Sequence, residues 1–175
     1  MREVAITAVG SDRPGIVAAI SETLLGLGGN LEDCRAALLR GSFAIVVVAA
    51  VPDDVGEDDV RAALAPVARD LGLGVWVGTA VPPAQRPPGE RCVISVYGAD
   101  HPGIVAGVTR ALADWGVNVL DLSSRLVGDP PVYVLGLEVE LPPGLTSGQL
   151  ERKLGPVARG QGLELSLESE SDEVL

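Results

Sequence analysis

The chain has 175 residues, of which 47% are hydrophobic and only 3% aromatic, so it can fill a core with aliphatic side chains and is not disordered. Its formal net charge of −11, from 24 acidic against 13 basic residues, argues against direct nucleic-acid or membrane partners. Both kinds of anionic surface need clustered Lys and Arg, which this sequence lacks.

Targeting signals and cysteine usage favour a cytoplasmic protein. The N-terminus enters a strand pattern directly, without a signal-peptide layout. The longest apolar run, 43–51, is too short to cross a bilayer. Cys34 and Cys92 are expected to be reduced, half-buried strand residues rather than a disulfide.

The first half of the chain predicts the order strand, helix, strand, strand, helix, strand. The strands are expected at 4–9, 31–39, 43–51 and 73–81. The first helix should have Pro14 in its first turn and an apolar face formed by Ile16, Ile20, Leu24 and Leu27. The second helix should bury Val60, Leu64, Val67 and Leu71. Pro66 should bend or break this second helix.

The second half repeats the first, at an offset of 88 positions that becomes 90 after a short insertion at 129–131. Strands are expected at 119–127, 132–141 and 163–167. The apolar faces of its two helices are Ile104, Val108, Leu112 and Trp115, then Leu150, Leu154 and Val157. Pro156 repeats the position of Pro66, so the second helix of this half is also expected to bend or break there.

This order predicts an α+β fold with two ferredoxin-like βαββαβ sandwiches, each a four-stranded antiparallel sheet with two helices on one face. The expected domains are residues 1–81 and 91–169. Residues 82–90 form a stiff Pro-rich linker and residues 170–175 an acidic tail in this interpretation.

One heptapeptide occurs in both halves, Asp12-Arg13-Pro14-Gly15-Ile16-Val17-Ala18 and Asp100-His101-Pro102-Gly103-Ile104-Val105-Ala106. Each copy leads from a strand into a helix, where free amides and the helix dipole favour an anion. A carboxylate would bind there, while the aspartates accept from an ammonium group. Asn30 and Asn118 add a donor and an acceptor. These parts suit an α-amino acid.

The candidate ligand-binding residues are Asp12, Arg13, Pro14, Gly15, Ile16, Val17, Asn30, Asp100, His101, Pro102, Gly103, Ile104, Val105 and Asn118. Each also has a purely structural interpretation. An aspartate before a helix is often a cap, Pro-Gly is often only a turn, and Asn after Gly is often a turn residue. Arg13 and His101 differ between the copies, so at most one serves in a given pocket.

Enzymatic and metal-binding patterns are missing from the sequence. There is a single histidine, and neither a P-loop nor a dinucleotide fingerprint occurs. The acidic cluster at 53–59 lacks calcium-loop spacing and is interpreted as a polar loop plus negative charge at a helix N-terminus. We therefore predict no catalytic residues, no metal site and no cofactor.

Both halves of the sequence resemble a known family in three stretches each. In the first half these are the repeated turn, Gly29-Asn30-Leu31 and Phe43-Ala44-Ile45. In the second half they are the repeated turn, Gly116-Val117-Asn118-Val119 and Tyr133-Val134-Leu135. The family that they resemble is the ACT domain. Two copies filling the chain resemble tandem-ACT regulatory proteins of the glycine cleavage system transcriptional repressor family. The resemblance implies allosteric sensing of a small amino acid, such as glycine or serine, at interfaces between ACT domains that pair side by side. It also implies a regulatory protein partner, itself bound to DNA, and a homodimer formed through sheet pairing.

Two other hypotheses stay open at this point. The duplicated sheets can serve as a ligand-independent scaffold for dimerisation or partner binding. The third hypothesis is an enzyme on the same sandwich, which the lack of duplicated acid–base pairs disfavours.

Overall fold

Two copies of one α/β unit make up the chain, residues 1–84 and 85–175. The computed structural model describes residues 1–81 and 89–169. The helices and strands occur in the predicted order in both units, and the unit boundary falls inside the predicted linker. Residues 82–88 of that linker and the tail 170–175 lie outside the described residues.

The first unit is built around its first strand. Its elements are β1 (Arg2–Ser11), α1 (Ile16–Gly26), β2 (Asn30–Leu39), β3 (Ser42–Val51), α2 (Glu57–Leu71) and β4 (Leu73–Thr79). The four strands form an antiparallel sheet in the order β2-β3-β1-β4. β1 is therefore central and β2 lies at one edge.

The second unit has the same topology. Its elements are β5 (Arg91–Gly98), α3 (Ile104–Asp114), β6 (Asn118–Val127), β7 (Val132–Glu140), α4 (Ser147–Gly160) and β8 (Glu164–Ser169). The sheet order is β6-β7-β5-β8, again antiparallel throughout. The predicted fold, two ferredoxin-like sandwiches in tandem, is confirmed.

Each unit has its own aliphatic core between the sheet and its two helices. Alternate residues of β1 and β3 are buried together with one face of α1 and α2, and the second unit repeats this arrangement. The predicted helix residues Ile16, Ile20 and Leu24 are all at most 2% exposed. Because one cluster joins both helices to the same strand faces, both helices cover one side of each sheet.

The edge strands β2 and β6 extend beyond this covered region. Every residue of β2 except Leu31 is exposed, and β6 has a similar pattern. Their backbone edges are long, since each strand has 10 residues. Such edges are open to pairing with another strand.

Two local predictions about helix residues were wrong. Pro14 and Pro102 precede their helices, because the next residues, Gly15 and Gly103, have φ of 94° and 100°, outside the right-handed helical region. α4 buries Ala158 rather than Val157, because Ala158 continues the four-residue spacing of Leu150 and Leu154 on one helix face.

The helices α2 and α4 run without interruption through Pro66 and Pro156, so the predicted break is absent. Proline removes one N–H from the helix, which leaves the carbonyl four residues earlier without its partner. In α2 that carbonyl belongs to Ala62, and both Ala62 and Pro66 are exposed. Water can therefore satisfy the carbonyl, while buried side chains hold the helix to the sheet.

The two cysteines differ from the half-buried state that was predicted. Both are free thiols, but Cys34 is exposed and Cys92 is buried. Cys34 lies on the uncovered strand β2, whereas Cys92 points into the core from the inner strand β5. Among residues 1–81 and 89–169, no helix combines the length and apolar character needed to cross a bilayer.

Candidate functional site

The repeated turn places a left-handed glycine immediately before each helix. Gly15 and Gly103 are the N-cap residues of α1 and α3, with φ of 94° and 100°. An added Cβ would meet no heavy atom within 4 Å at either position. Glycine is thus required by the backbone conformation and not by crowding.

The first-turn amides of both helices have no side-chain cap. In α1 the first intrahelical bond runs from the Ala19 N–H to the Gly15 carbonyl, at 2.9 Å. In α3 the equivalent bond, from the Gly107 N–H to the Gly103 carbonyl, is 2.8 Å. Asp12 and Asp100 are exposed and do not cap these helices, so the capping interpretation is wrong. The three helical amides that precede the first bond in each helix have no intrahelical partner.

The apolar residues of the turn have different roles. Ile16 and Ile104 are each 2% exposed and belong to the cores, so only their backbone can contact a ligand. Val17 is exposed, while Val105 is half-buried and packs against its core. Side-chain contacts from the turn are therefore left to residues 12–14 and 100–102, with Val17.

The structure does not bring Asn30 to the turn of its own unit. Asn30 pairs with Ala50, which in turn pairs with Glu3, whereas the turn follows Ser11 at the other end of β1. From Glu3 to Ser11 an extended strand covers about 26 Å. A single pocket built from one unit's turn and its own asparagine is therefore wrong.

The second unit has the same separation. Asn118 pairs with Glu140, which pairs with Arg91, while the turn lies beyond Gly98 at the far end of β5. Each unit therefore presents two predicted parts of the site at opposite ends of its sheet. The sequence could not show this arrangement. The order of the turn and the asparagine along the chain is the same whether they lie at one end of the sheet or at opposite ends.

The two turns are anchored by different hydrogen bonds. In the first unit, the Asp12 N–H donates to the carbonyl of Gly41 in the β2–β3 turn, at 2.9 Å. In the second unit, His101 Nε2 lies 3.0 Å from the carbonyl of Gln161, the C-cap residue of α4. Sequence reasoning missed Gly41 and Gln161. A position-by-position comparison of the repeats could have pointed to Gln161, because Leu71 occupies its place in the first unit.

The acidic cluster before α2 is structural, as predicted. Glu57, Asp58 and Asp59 lie in the first helical turn, and the Asp59 carboxylate accepts from the Gly56 N–H at 2.8 Å. Asp58 pairs with Arg61. In the described ranges, no group of three or more His, Cys, Asp or Glu side chains converges as metal ligands would.

Two surface clefts of the described residues are lined by residues outside the repeated turns. One cleft of about 450 Å³ lies at the opposite end of the first unit, beside Arg2, Glu57 and Thr79. Another of about 400 Å³ lies beside Leu145 and Arg152 at the start of α4. Residues 12–15 are all exposed, so the first turn by itself forms an open surface and not an enclosed pocket.

Comparison with known families matches both units. A model described as the ACT domain matches residues 2–78 and 90–168. The phosphoserine phosphatase SerB2 of Mycobacterium tuberculosis is 30% identical over 171 residues, which are 94% of this chain but 40% of that protein. The glycine cleavage system transcriptional repressor of Escherichia coli is 32% identical over 122 residues, 69% of this chain and 63% of the repressor. The chain thus spans less than two thirds of either relative.

Two solved structures cover nearly the whole chain. A protein of unknown function from Galdieria sulphuraria has a TM-score of 0.83 at 28% identity, covering 97% of this chain and 98% of its own. A protein proposed to be a glycine cleavage system transcriptional repressor has a TM-score of 0.74 at 19% identity, covering 97% of each chain. The second similarity concerns the fold alone.

Proposed function

Because this chain belongs to the ACT domain family, we propose that it is a regulatory protein that binds a small amino acid and thereby changes its affinity for a protein partner. Glycine and serine are the first candidate ligands, and a regulator of genes of amino-acid metabolism is the candidate partner. The relationship to the Escherichia coli repressor over 69% of this chain supports this choice. No catalytic group is part of the proposal.

The observation that carries the proposal is the uncapped turn, present twice. Gly15 and Gly103 leave the first amides of α1 and α3 without a side-chain partner. A ligand carboxylate would accept from these amides at the positive end of the helix dipole. The exposed carboxylates of Asp12 and Asp100 would accept from the ligand's ammonium group.

Pairing of two copies of this chain would complete the site. If β2 pairs antiparallel with β2 of a second copy, the start of one strand lies beside the end of the other. Leu39, at the end of β2, pairs with Ser42, and Ser42 pairs with Ser11, which directly precedes the turn. The end of β2 and the turn therefore lie at the same end of the sheet. Asn30 of one copy would then approach the turn of the other. The separation of Asn30 from its own turn is accounted for in this way.

Sensing requires that the ligand binds two arrangements with different affinity, since equal binding shifts nothing. A ligand held between two copies meets this requirement, because only the paired arrangement offers both the turn and the asparagine. We therefore expect glycine or serine to favour the homodimer. The partner protein would distinguish the paired from the unpaired form.

Calorimetry with the twenty amino acids tests the proposal. We expect binding of a small amino acid that is weakened at least tenfold by Asp12→Ala combined with Asp100→Ala, and by Asn30→Ala combined with Asn118→Ala. Asp54→Ala is the matched control, since Asp54 is an exposed acid in the loop before α2. Molar mass from light scattering should rise with ligand. Absence of binding at millimolar concentration would contradict the proposal.

A ligand-independent scaffold is the second candidate, and the outer face of the first sheet favours it. Val9, Val46 and Trp76 are between 48% and 58% exposed on the side away from the helices. Exposed apolar side chains on one flat face are typical of protein-binding surfaces. If partner binding survives the asparagine substitutions and never responds to an amino acid, the scaffold is the better description. Loss of partner binding on Trp76→Ser would place the partner on this face.

A further inference from the structure

His101 connects the second turn to the end of α4. Its Nε2 lies 3.0 Å from the Gln161 carbonyl, which can only accept, so a hydrogen bond here uses the ring form with its proton on Nε2. Its Nδ1 lies 3.1 Å from the Pro102 carbonyl. The imidazole therefore lies between two carbonyl oxygens, one in the turn itself and one at the C-cap of α4.

The side chain of Gln161 makes a second connection. A Cβ at Gly107 would lie 2.4 Å from the Gln161 side-chain nitrogen, so the carboxamide occupies the space beside Gly107. Gly107 is the fourth residue of α3, and its N–H forms the first intrahelical bond of that helix. Gln161 thus contacts the second turn through its carbonyl and the start of α3 through its side chain.

These three positions are ones at which the two units differ. The equivalents of His101, Gly107 and Gln161 in the first unit are Arg13, Ala19 and Leu71. Leu71 is partly buried against its own core, and Ala19 carries the Cβ that Gly107 lacks. Arg13 forms no hydrogen bond or ion pair within residues 1–81 and 89–169. The imidazole, the space beside the helix and the carboxamide are thus present together in the second unit, and all three are replaced in the first.

We infer that His101, acting with Gln161, is a positioning residue that holds the second turn in the conformation that receives a ligand, and that ties this turn to the end of α4. That the second turn receives a ligand rests on the proposed function. The hydrogen bond between His101 and Gln161 is independent of that function. Because the turn is fixed before a ligand arrives, less ordering accompanies binding at this site. Within residues 1–81, the first turn makes no hydrogen bond to α2 and is linked to the β2–β3 hairpin instead.

A pair of substitutions at one position tests the inference. His101→Gln keeps a side-chain N–H of similar reach, whereas His101→Leu removes the donor. Arg110→Leu is the control, since Arg110 is an exposed cation on α3, the helix that follows the turn, and its partner is Asp114. The first measurement is hydrogen exchange of the Gly107 and Leu163 amides without ligand. The second is binding of glycine and serine in chains that also carry Asp12→Ala, which weakens the first turn so that binding reports on the second.

We expect His101→Leu to speed exchange of both amides and to weaken binding about fivefold, the size expected for one hydrogen bond. His101→Gln should recover most of both effects, and Arg110→Leu should change neither. If His101→Leu and His101→Gln both exchange like the unaltered chain, the inference is overturned, whatever the ligand result. If exchange follows the expectation but no amino acid binds the unaltered chain, the proposed function fails and the positioning role of His101 stands.

Discussion

In the first unit the repeated turn is tied through Asp12 to the hairpin at Gly41, whereas in the second it is tied through His101 to the end of α4. The cause lies partly in the hairpin. β1 stays paired through Ser11, but β5 stops at Gly98, and the longer turn at 128–131 offers no equivalent of the Gly41 bond. One motif can therefore keep its backbone while its connections to the rest of the unit change.

The outer faces of the two sheets differ as much as the anchors do. Trp76 lies across Gly78, where an added Cβ would come within 2.3 Å of the indole ring. The equivalents in the second unit are Ser166 and Glu168, and Val48 is replaced by Glu138. The first face carries Trp76 and several valines, whereas the second mixes Val93 and Tyr97 with glutamates, although the cores beneath them are alike. Association through an apolar sheet face is thus favoured more strongly in the first unit than in the second.

The largest expected difference is in the rate of thiol modification, between Cys34 on the uncovered strand β2 and Cys92 on the core strand β5. At pH 8 a thiol reagent should modify Cys34 at least about a thousand times faster than Cys92, because modification of Cys92 requires opening of the unit. Timed labelling followed by mass spectrometry measures both rates, and the Cys34→Ser variant isolates the slow one. Comparable rates would mean that β5 is not held in the core.

The buried thiol also predicts a pH dependence of stability. Burial raises the pKa of Cys92, and the Glu90 carboxylate adds to that shift. The folded chain keeps this proton where the unfolded chain loses it, so the contribution is present below the ordinary value of 9.0 and is lost as the pH rises above it. Urea unfolding between pH 8 and 10 should therefore show a steeper loss of stability than in Cys92→Ala. Parallel curves would contradict this.

Equivalent core leucines test whether the two cores are equally well packed. Leu24 and Leu112 are both fully buried at matching positions. We expect Leu24→Ala and Leu112→Ala each to lower the free energy of unfolding by about 3 kcal/mol, from lost burial plus a cavity. Hydrogen exchange should place each loss in the unit that carries the substitution. A difference of more than about 2 kcal/mol would show that one core relaxes around the cavity.

Replacing either turn glycine by alanine should lower stability by the same amount, because Gly15 and Gly103 have nearly the same backbone angles. Gly15→Ala and Gly103→Ala each force a side chain into the left-handed region, at a cost of about 1–2 kcal/mol. Gly26→Ala is the control, since Gly26 lies in α1 with open space around it and no positive φ. It should be neutral or slightly stabilising. Thermal unfolding measures all three, and a harmless Gly15→Ala would mean that the turn can adopt another conformation.

The smallest expected effects concern the caps of α2 and α4. Thr146 Oγ1 accepts from the Gln149 N–H at 3.3 Å, and the Gln149 side chain accepts from the Thr146 N–H at 2.9 Å. Gly56 has no side chain, so α2 keeps only the bond from its N–H to Asp59. Thr146→Ala should lose about 1 kcal/mol, while Gly56→Thr should gain a few tenths. Chemical denaturation that shows no loss for Thr146→Ala would mean that water replaces the hydroxyl.

The sequence by itself determined the βαββαβ order, the duplication, the aliphatic cores and the position of the repeated turn before each helix. These features depend on spacings of two and of three to four residues, which are local and therefore readable along the chain. The same spacings could not place Pro14 relative to α1, because that depends on the backbone angle of Gly15. Nor could they show that β2 and β6 lie beyond the helices.

Only the tertiary structure decided what each turn meets. It placed Asn30 and Asn118 at the far ends of their sheets, because strand register and not sequence proximity sets which ends coincide. It also joined His101 to Gln161, which lie 60 positions apart in the chain. Such contacts depend on how α4 packs beside α3 and β8, and no local pattern encodes that packing.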